Sequence, residues 1–219
     1  ESLKLKRGKM STNATVEPEP QEETQEETQE AQVQIVLEEA KSDDDLQLIS
    51  LYGDVDEEKG VEVIQAMRIL LAMKETDAEE NPEFEFLIST MGGSASDMFA
   101  IYDTIRLMVQ DGYDIRTHAL GRAMSGGVLL LASGRKGYRT IAKNTRVMIH
   151  SIAGENLGTV NSLQSDMSEI KSIQNQFVEA MVEETNLTQR QLKRMMGRNV
   201  NIYLSAEEAV KFGIADLII

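Results

Sequence analysis

From Leu46 to Ile219 the period of the apolar residues switches repeatedly, and that alternation limits the fold more than any single residue does. Leu46 to Leu51 reads as a short strand that Gly53 ends. Val63, Ile64, Met67, Leu70 and Leu71 then recur at helical spacing, which predicts a helix from Asp56 to Lys74 with Asp56 as N-cap. An acidic loop from Glu75 to Asn81, closed by Pro82, leads to Phe84, Phe86 and Ile88, which alternate as a second strand. After Gly92-Gly93-Ser94 a helix runs through Gln110, with Met98, Ile101, Ile105 and Met108 on one face. Gly112 ends it, and Tyr113 to Leu120 is a third strand. A Gly-rich turn from Gly121 then precedes the apolar run Val128 to Ala132, which Gly134 stops. Arg146 to His150 reads as another strand, followed by a long helix from about Leu157 to Thr185 that carries Val160, Leu163, Met167, Ile170, Ile173, Phe177 and Met181. A shorter helix over Thr188 to Met196, a strand at Tyr203-Leu204, a helix opened by Ser205 with Glu208 at its third position, and a strand from Ile214 to Ile219 complete the pattern. Such alternation predicts an α/β fold of parallel βαβ units with right-handed crossovers.

Residues 1–45 are different material, and the expectation is a disordered acidic tail followed by one folded domain over 46–219. Between Glu17 and Glu30 the chain is mostly Glu, Gln, Thr and Pro, and Gln-Glu-Glu-Thr occurs twice in tandem. Too little apolar surface is present there to offset the entropy of ordering. Val33 to Leu37 is an apolar island suited to strand pairing or to packing on a partner, and Asp43, Asp44 and Asp45 close the tail. Met10-Ser11-Thr12 reads like a translation start, which would make residues 1–9 an upstream leader. No apolar stretch follows Lys4, Lys6, Arg7 and Lys9, so they do not open a secretory signal. No apolar run reaches the roughly 18–20 residues of a membrane span. A formal charge of -15 argues against gripping a nucleic-acid backbone. The absence of Cys excludes disulfides, thiolate metal sites and Cys nucleophiles. No metal or cofactor is expected, and a cytoplasmic location is.

Three short segments carry candidate chemistry. Ser125 stands where a strand ends and an apolar helix begins, among Gly121, Ala123, Gly126 and Gly127. A nucleophile there has unpaired backbone N–H groups and a favourable helix dipole beside it. Residue 123 is Ala, so this is not the Gly-x-Ser-x-Gly elbow, and Ser125 alone reads equally as an ordinary N-cap. Gly92-Gly93-Ser94 also joins a strand to a helix, so its N–H groups reach the carboxyl edge where α/β sheets bind ligands. Gly93 and Gly126 together would form a two-point oxyanion hole. A plain tight turn or a phosphate cradle is the other reading, although no Lys-Ser/Thr pair follows as in a P-loop. The chain has only two His. His150 ends an apolar strand, and an imidazole can serve as a general base; alone it reads also as a structural imidazole. His118, inside a strand, reads as structural.

Taken in order, these segments resemble the ClpP family of ATP-dependent protease subunits. The likeness rests on Gly92-Gly93-Ser94, Phe99 to Ile105, Gly121-Arg122-Ala123-Met124-Ser125, Arg146 to His150, Tyr203 to Ala209 and Phe212 to Asp216, and it runs from about Leu46 to Ile218. It implies a ClpP/crotonase-type fold with a head and a helical handle, the handle being the helix from Leu157 to Thr185. It implies a serine endopeptidase subunit in seven-membered rings stacked in pairs as a tetradecamer around a chamber, with a Clp-type ATPase unfoldase or a second ClpP-like subunit as partners. Ser125 would attack the peptide carbonyl, His150 would take and return the proton, and Gly93 and Gly126 would hold the oxyanion. The peptide would lie extended beside Ser94 and the stretch of Ser151 and Ile152 after His150.

This chain departs from the family pattern at several positions. Where the family has Asp, two residues before the aromatic of its aromatic-Leu/Met-Ser/Thr-Ala motif, this chain has Asn201, and Thr185 to Ala206 holds no Asp or Glu. An Asn removes the charge that stabilises imidazolium, which implies a weak, conditional or differently assisted peptidase. Met91 replaces the usual Pro, Gly126 the usual Met, and Ser151-Ile152 the usual Gln-Pro; extra residues lie near Asp111-Gly112, and Asp43-Asp44-Asp45 replaces a basic, aromatic segment. Three other readings stand beside the active peptidase. One is a weakly active or inactive subunit that structures a mixed ring. Another is a crotonase-type acyl-CoA enzyme, though no basic cluster for the adenine nucleotide is evident. The third is a Ser-Lys peptidase using Lys136 or Lys143.

Overall fold

The computed structural model describes residues 48–74, 83–197 and 200–219. The chain divides into two units, 1–45 and 46–219, and the fold below is that of the second. The expected disordered tail, its apolar island and the acidic loop before Glu83 lie outside the described residues.

Seven strands form one sheet. They are β1 (Leu48–Tyr52), β2 (Glu83–Thr90), β3 (Asp114–Met124), β4 (Thr140–Ile141), β5 (Arg146–Ile149), β6 (Ile202–Leu204) and β7 (Leu217–Ile218). The order is β1-β2-β3-β4-β7, with β5 beside the end of β3 and β6 beside β5. β3 is long enough to serve two neighbours: His118 and Ala119 pair with β4, while Arg122 to Met124 pair with β5. All pairings are parallel except β5 with β6, which is antiparallel. The α/β expectation of parallel βαβ units therefore holds for most of the sheet and is corrected at β6. Its partner strand lies far back along the chain, so the return direction is free of the βαβ rule.

The helices are α1 (Glu57–Lys74), α2 (Ala95–Gln110), α3 (Gly126–Ala132), α4 (Val160–Glu184), α5 (Gln189–Met196) and α6 (Ala206–Lys211). Asp56 caps α1, its carboxylate accepting from the Lys59 N–H at 2.8 Å. Thr188 opens α5 and Ser205 opens α6, each in a reciprocal capping box, with Gln191 and Glu208 respectively. One side of the sheet is buried through Phe84, Phe86 and Ile88 of β2 and Ile115, Thr117 and Ala119 of β3. Every residue of α3 is buried, which explains why its seven residues show no polar face. Burial of each Phe, Ile, Leu or Val among these contributes roughly 1.5–3 kcal/mol.

Three boundaries differ from expectation. The Gly-rich turn at Gly121 is strand instead: β3 continues through Met124, and a register shift between Ile88 and Thr90 absorbs the irregularity. The long helix starts at Val160 with Thr159 as N-cap, so Leu157 and Gly158 belong to the loop before it. The last strand is short, Leu217–Ile218. No residue of α4 before Phe177 is buried, whereas Phe177, Val178, Ala180, Met181 and Glu184 are. Its last turns pack on the core and its earlier turns stand in solvent. Among the described residues no helix is long and apolar enough to cross a membrane.

Candidate active site

Three parallel strands deliver the site to one edge of the sheet. β2 ends at Thr90 before Gly92-Gly93, β3 ends at Met124 before Ser125, and β5 ends at Ile149 before His150. The carboxyl edge of a parallel sheet is where α/β proteins bind ligands.

Ser125 turns the chain sharply from β3 into α3. Its φ is 53°, and among the described residues it is the one non-Gly residue with positive φ. Such a conformation costs on the order of 1–3 kcal/mol and persists where surrounding contacts enforce it. Here the Ser125 N–H is tied to the Met148 carbonyl at 2.8 Å. Its side chain makes no cap for α3, so the ordinary N-cap reading fails. Instead Ser125 Oγ lies 2.8 Å from His150 Nε2. Ser125 and His150 are both partly buried, and neither is sealed from solvent.

The double-glycine turn fits against this elbow. A Cβ on Gly92 would stand 2.5 Å from the Ser125 Cβ and 2.9 Å from the Met124 carbonyl oxygen. With φ at 94°, residue 92 must be Gly on both steric and backbone grounds. Thr90 Oγ1 accepts from the Gly92 N–H at 3.0 Å. Val55 crosses behind the turn: its N–H reaches the Gly92 carbonyl at 2.8 Å, and its carbonyl takes the Ser94 N–H at 2.7 Å. This pattern passes over the Gly93 N–H, and among the described residues no carbonyl takes it. Gly126, as the first residue of α3, has no carbonyl one turn back for its own N–H. Both expected oxyanion donors are therefore uncommitted, and Ser125 cannot supply one because its N–H is used by β5. A Cβ on Gly126 would meet the Met98 Cγ at 2.7 Å. Met98 of α2 thus fills the space that a larger residue at 126 would need.

The remaining expected site residues are placed differently. Ser94 caps α2, its hydroxyl accepting from the Asp97 N–H at 3.4 Å. Its backbone is also spent inside the fold, on Val55 and on the Met98 N–H. The Ser94 N–H is therefore not available to an added strand. Ile152, two residues past His150, donates its N–H to Gln174 Oε1 of α4 at 3.2 Å, and Ser151 beside it is half-buried. Asn201 is exposed, and its amide donates to the Tyr203 hydroxyl at 3.5 Å, not to His150. Its backbone position is nonetheless informative. β5 and β6 pair Val147 with Leu204, Met148 with Tyr203 and Ile149 with Ile202. One further step of that register sets His150 opposite Asn201.

The other imidazole and the candidate lysines are elsewhere. His118 Nδ1 is 2.8 Å from Thr140 Oγ1 on the neighbouring strand. Lys136 donates its ammonium to the Glu183 carbonyl at 2.9 Å, and the hydroxyl of Ser125 already faces His150. Among the described residues no three His, Asp or Glu side chains gather as a metal site. Two cavities, of about 700 and 540 Å³, are lined by neither Ser125 nor His150. The Ser-His pair is partly buried at the carboxyl edge of the sheet. Sequence reasoning missed the roles of Val55 and Met98. Neither signals itself in the sequence, because both act through position against a glycine.

A family model described as Clp protease matches residues 27–219. ATP-dependent Clp protease proteolytic subunit 4 of Rhodococcus jostii is 32% identical over 137 residues, covering 63% of this chain and 68% of that protein. ATP-dependent Clp protease proteolytic subunit 2 of Chlamydia trachomatis serovar D is 31% identical over 152 residues, 69% of this chain and 71% of that protein. The protein of the same name from Chlamydia pneumoniae is 30% identical over the same shares.

Proposed function

The chain belongs to the Clp protease family, and from that premise we propose that it is a serine endopeptidase subunit that cleaves unfolded polypeptide at Ser125. The observation that carries the reading is the 2.8 Å contact between Ser125 Oγ and His150 Nε2. His150, neutral, takes the Ser125 proton as Oγ attacks the peptide carbonyl. The carbonyl oxygen, now negative, is held by the N–H groups of Gly93 and Gly126. His150 then gives its proton to the departing amine, which leaves the acyl group on Ser125. A water deprotonated by His150 releases the acyl group by the same route. Asn201 is the group that orients His150, and the peptide extends along Gly93 and the Ser151-Ile152 stretch.

The open early turns of α4 support assembly. Leu157 is 98% exposed, and Val160, Leu163 and Met167 continue an apolar stripe on the helix. A stripe of that kind calls for a partner surface, and stacked seven-membered rings would provide one. A Clp-type ATPase that unfolds and delivers substrate, and a cytoplasmic location, complete the reading. Hydrolysis of a fluorogenic peptide and of an unfolded protein, measured beside the native mass of the assembly, tests it. The expected result is cleavage that Ser125→Ala abolishes without changing the assembly. Cleavage that survives Ser125→Ala would overturn the proposal.

A second reading has a specific observation behind it. The side chain opposite His150 is an amide and not a carboxylate. A subunit of low intrinsic activity that structures a mixed ring is the function this favours. Turnover per Ser125 in the isolated protein separates the two.

A further inference from the structure

The stretch that follows His150 belongs to no helix or strand, and among the described residues no main-chain hydrogen bond joins residues 151–158 to the sheet. Its contacts are with α4. The Ile152 N–H donates to Gln174 Oε1 at 3.2 Å. Gly154 lies so close to Ile170 that a Cβ there would stand 2.6 Å from the Ile170 Cδ1. Asn156 Nδ2 donates to Asp166 Oδ2 at 2.6 Å. Residues two apart on the stretch therefore meet residues four apart on the helix. Two residues of extended chain advance about 6.6 Å and four residues of helix about 6 Å, so the two run side by side in opposite directions. Burial agrees with this course. From Val160 to Ser172 every residue of α4 is exposed except Asp166 and Ile170, the two that the stretch touches.

The contact nearest the catalytic base is the one at Ile152, and its chemistry has a single reading. A main-chain N–H only donates, so the end of Gln174 that meets it is the carbonyl oxygen. Gln174 and Ile152 are both half-buried, whereas Asn156 is exposed and lies four residues further along. Gln174 is thus the polar tie that fixes where the chain goes as it leaves His150. The Ile152 N–H is spent on that tie, and residues 153–155 keep main-chain groups that no other main chain takes among the described residues.

We propose that Gln174 is a positioning residue for the bound peptide: its side-chain carbonyl holds Ile152 against α4 and so keeps the stretch after His150 extended and in place for the peptide to lie along. The proposal rests on the peptidase reading and on that course for the peptide. Without the tie the stretch is in place in fewer molecules, and apparent peptide affinity falls with that fraction. The reaction at Ser125 is left alone, because the contact between Ser125 Oγ and His150 Nε2 does not pass through Gln174.

Three full-length proteins test this: the native chain, Gln174→Leu, which keeps the bulk and loses the acceptor, and Gln174→Glu, which keeps an oxygen at the same reach. Three readouts are taken on each. They are KM and kcat for a fluorogenic peptide that extends on both sides of the scissile bond, the rate at which a small fluorophosphonate labels Ser125, and hydrogen exchange of the Ile152 amide. Gln174→Leu is expected to raise KM about fivefold, the population change that one neutral hydrogen bond sustains. Its kcat and its labelling rate should match the native values, and its Ile152 amide should exchange faster. Gln174→Glu should restore both KM and the slow exchange. An unchanged KM in Gln174→Leu would overturn the proposal. Labelling slowed as much as peptide cleavage would overturn it too, since the loss would then run through the fold or through His150. A Gln174→Glu protein as impaired as Gln174→Leu would do the same. Failure of the peptidase reading looks different: none of the three proteins cleaves or labels. Ile152 exchange still tests the tie in that case, and equal exchange in all three would overturn it.

Discussion

The chemistry proposed for this chain turns on the uncharged amide at residue 201. Ser125 and His150 already form their contact, and the Gly93 and Gly126 N–H groups are uncommitted. Asn201 stands on the residue line opposite His150 but carries no charge to stabilise an imidazolium. Asn201→Asp should therefore raise turnover at least tenfold, in the direction opposite to the roughly 10⁴-fold loss seen when a serine-peptidase Asp becomes Asn. Initial rates against pH check this, and the variant should show the steeper profile. An unchanged rate would mean that another group orients His150. An ordered set of short motifs singles out Ser125, His150 and Asn201 in the sequence, and the structure brings Ser125 and His150 into contact. The use of the Ser94 backbone within the fold was not legible. It depends on Val55, which is 39 residues away and reaches the turn through the parallel pairing of β1 with β2.

At the scale of elements, an ion pair between Arg139 and Asp216 ties together the ends of several of them. Arg139 is buried, and its guanidinium donates to both Asp216 oxygens, at 2.8 and 2.6 Å, and to the carbonyls of Ala132 and Glu184. It thereby joins the end of α3, the end of α4 and the approach to β7. Burial alone would push the Asp216 carboxyl up. Hydrogen bonds from the Arg139 side chain and from the Arg139 and Gly137 N–H groups outweigh that and hold it below the usual carboxylate range. The unfolded chain thus takes up this proton at a higher pH than the fold does. The contribution is whole above about pH 4, the ordinary Asp range, and is lost as pH falls through the lower folded value. Asp216→Asn should cost about 3 kcal/mol at neutral pH, since it leaves a buried guanidinium without its charge partner. It should also flatten the acid side of the stability profile, as denaturant midpoints measured from pH 3 to 7 would show. Most elements were readable from period, and the Asp56 and Ser205 caps from residue type, whereas Thr188 was expected inside its helix and caps it instead. The two residues of β4 are too few to show a period, and period carries no strand direction, so the antiparallel turn of β6 was hidden. Glycine at 121 suggested a break, yet β3 runs on through Met124 because β5 pairs with its last three residues.

The whole molecule presents two different surfaces, and the account assigns each a task. The carboxyl edge of the sheet holds the partly buried Ser-His pair, while the early turns of α4 expose an apolar stripe. If that stripe joins two rings, Met167→Glu should halve the native mass by placing a charge in an apolar contact. An unchanged mass would remove α4 from the interface. The family and its α/β fold were legible in the sequence because its motifs stay in order, whereas assembly was expected through the resemblance alone, since an apolar stripe on a helix looks the same whether a core or a partner covers it. The central claim is narrower than assembly: Ser125 is a nucleophile that His150 activates. Fluorophosphonate treatment of the intact protein, with the adduct located by peptide mass mapping, tests it most directly. One adduct per chain is expected, on Ser125, absent in Ser125→Ala and slowed at least about a hundredfold in His150→Ala. An adduct on another serine, or labelling of Ser125 at the same rate without His150, would contradict it.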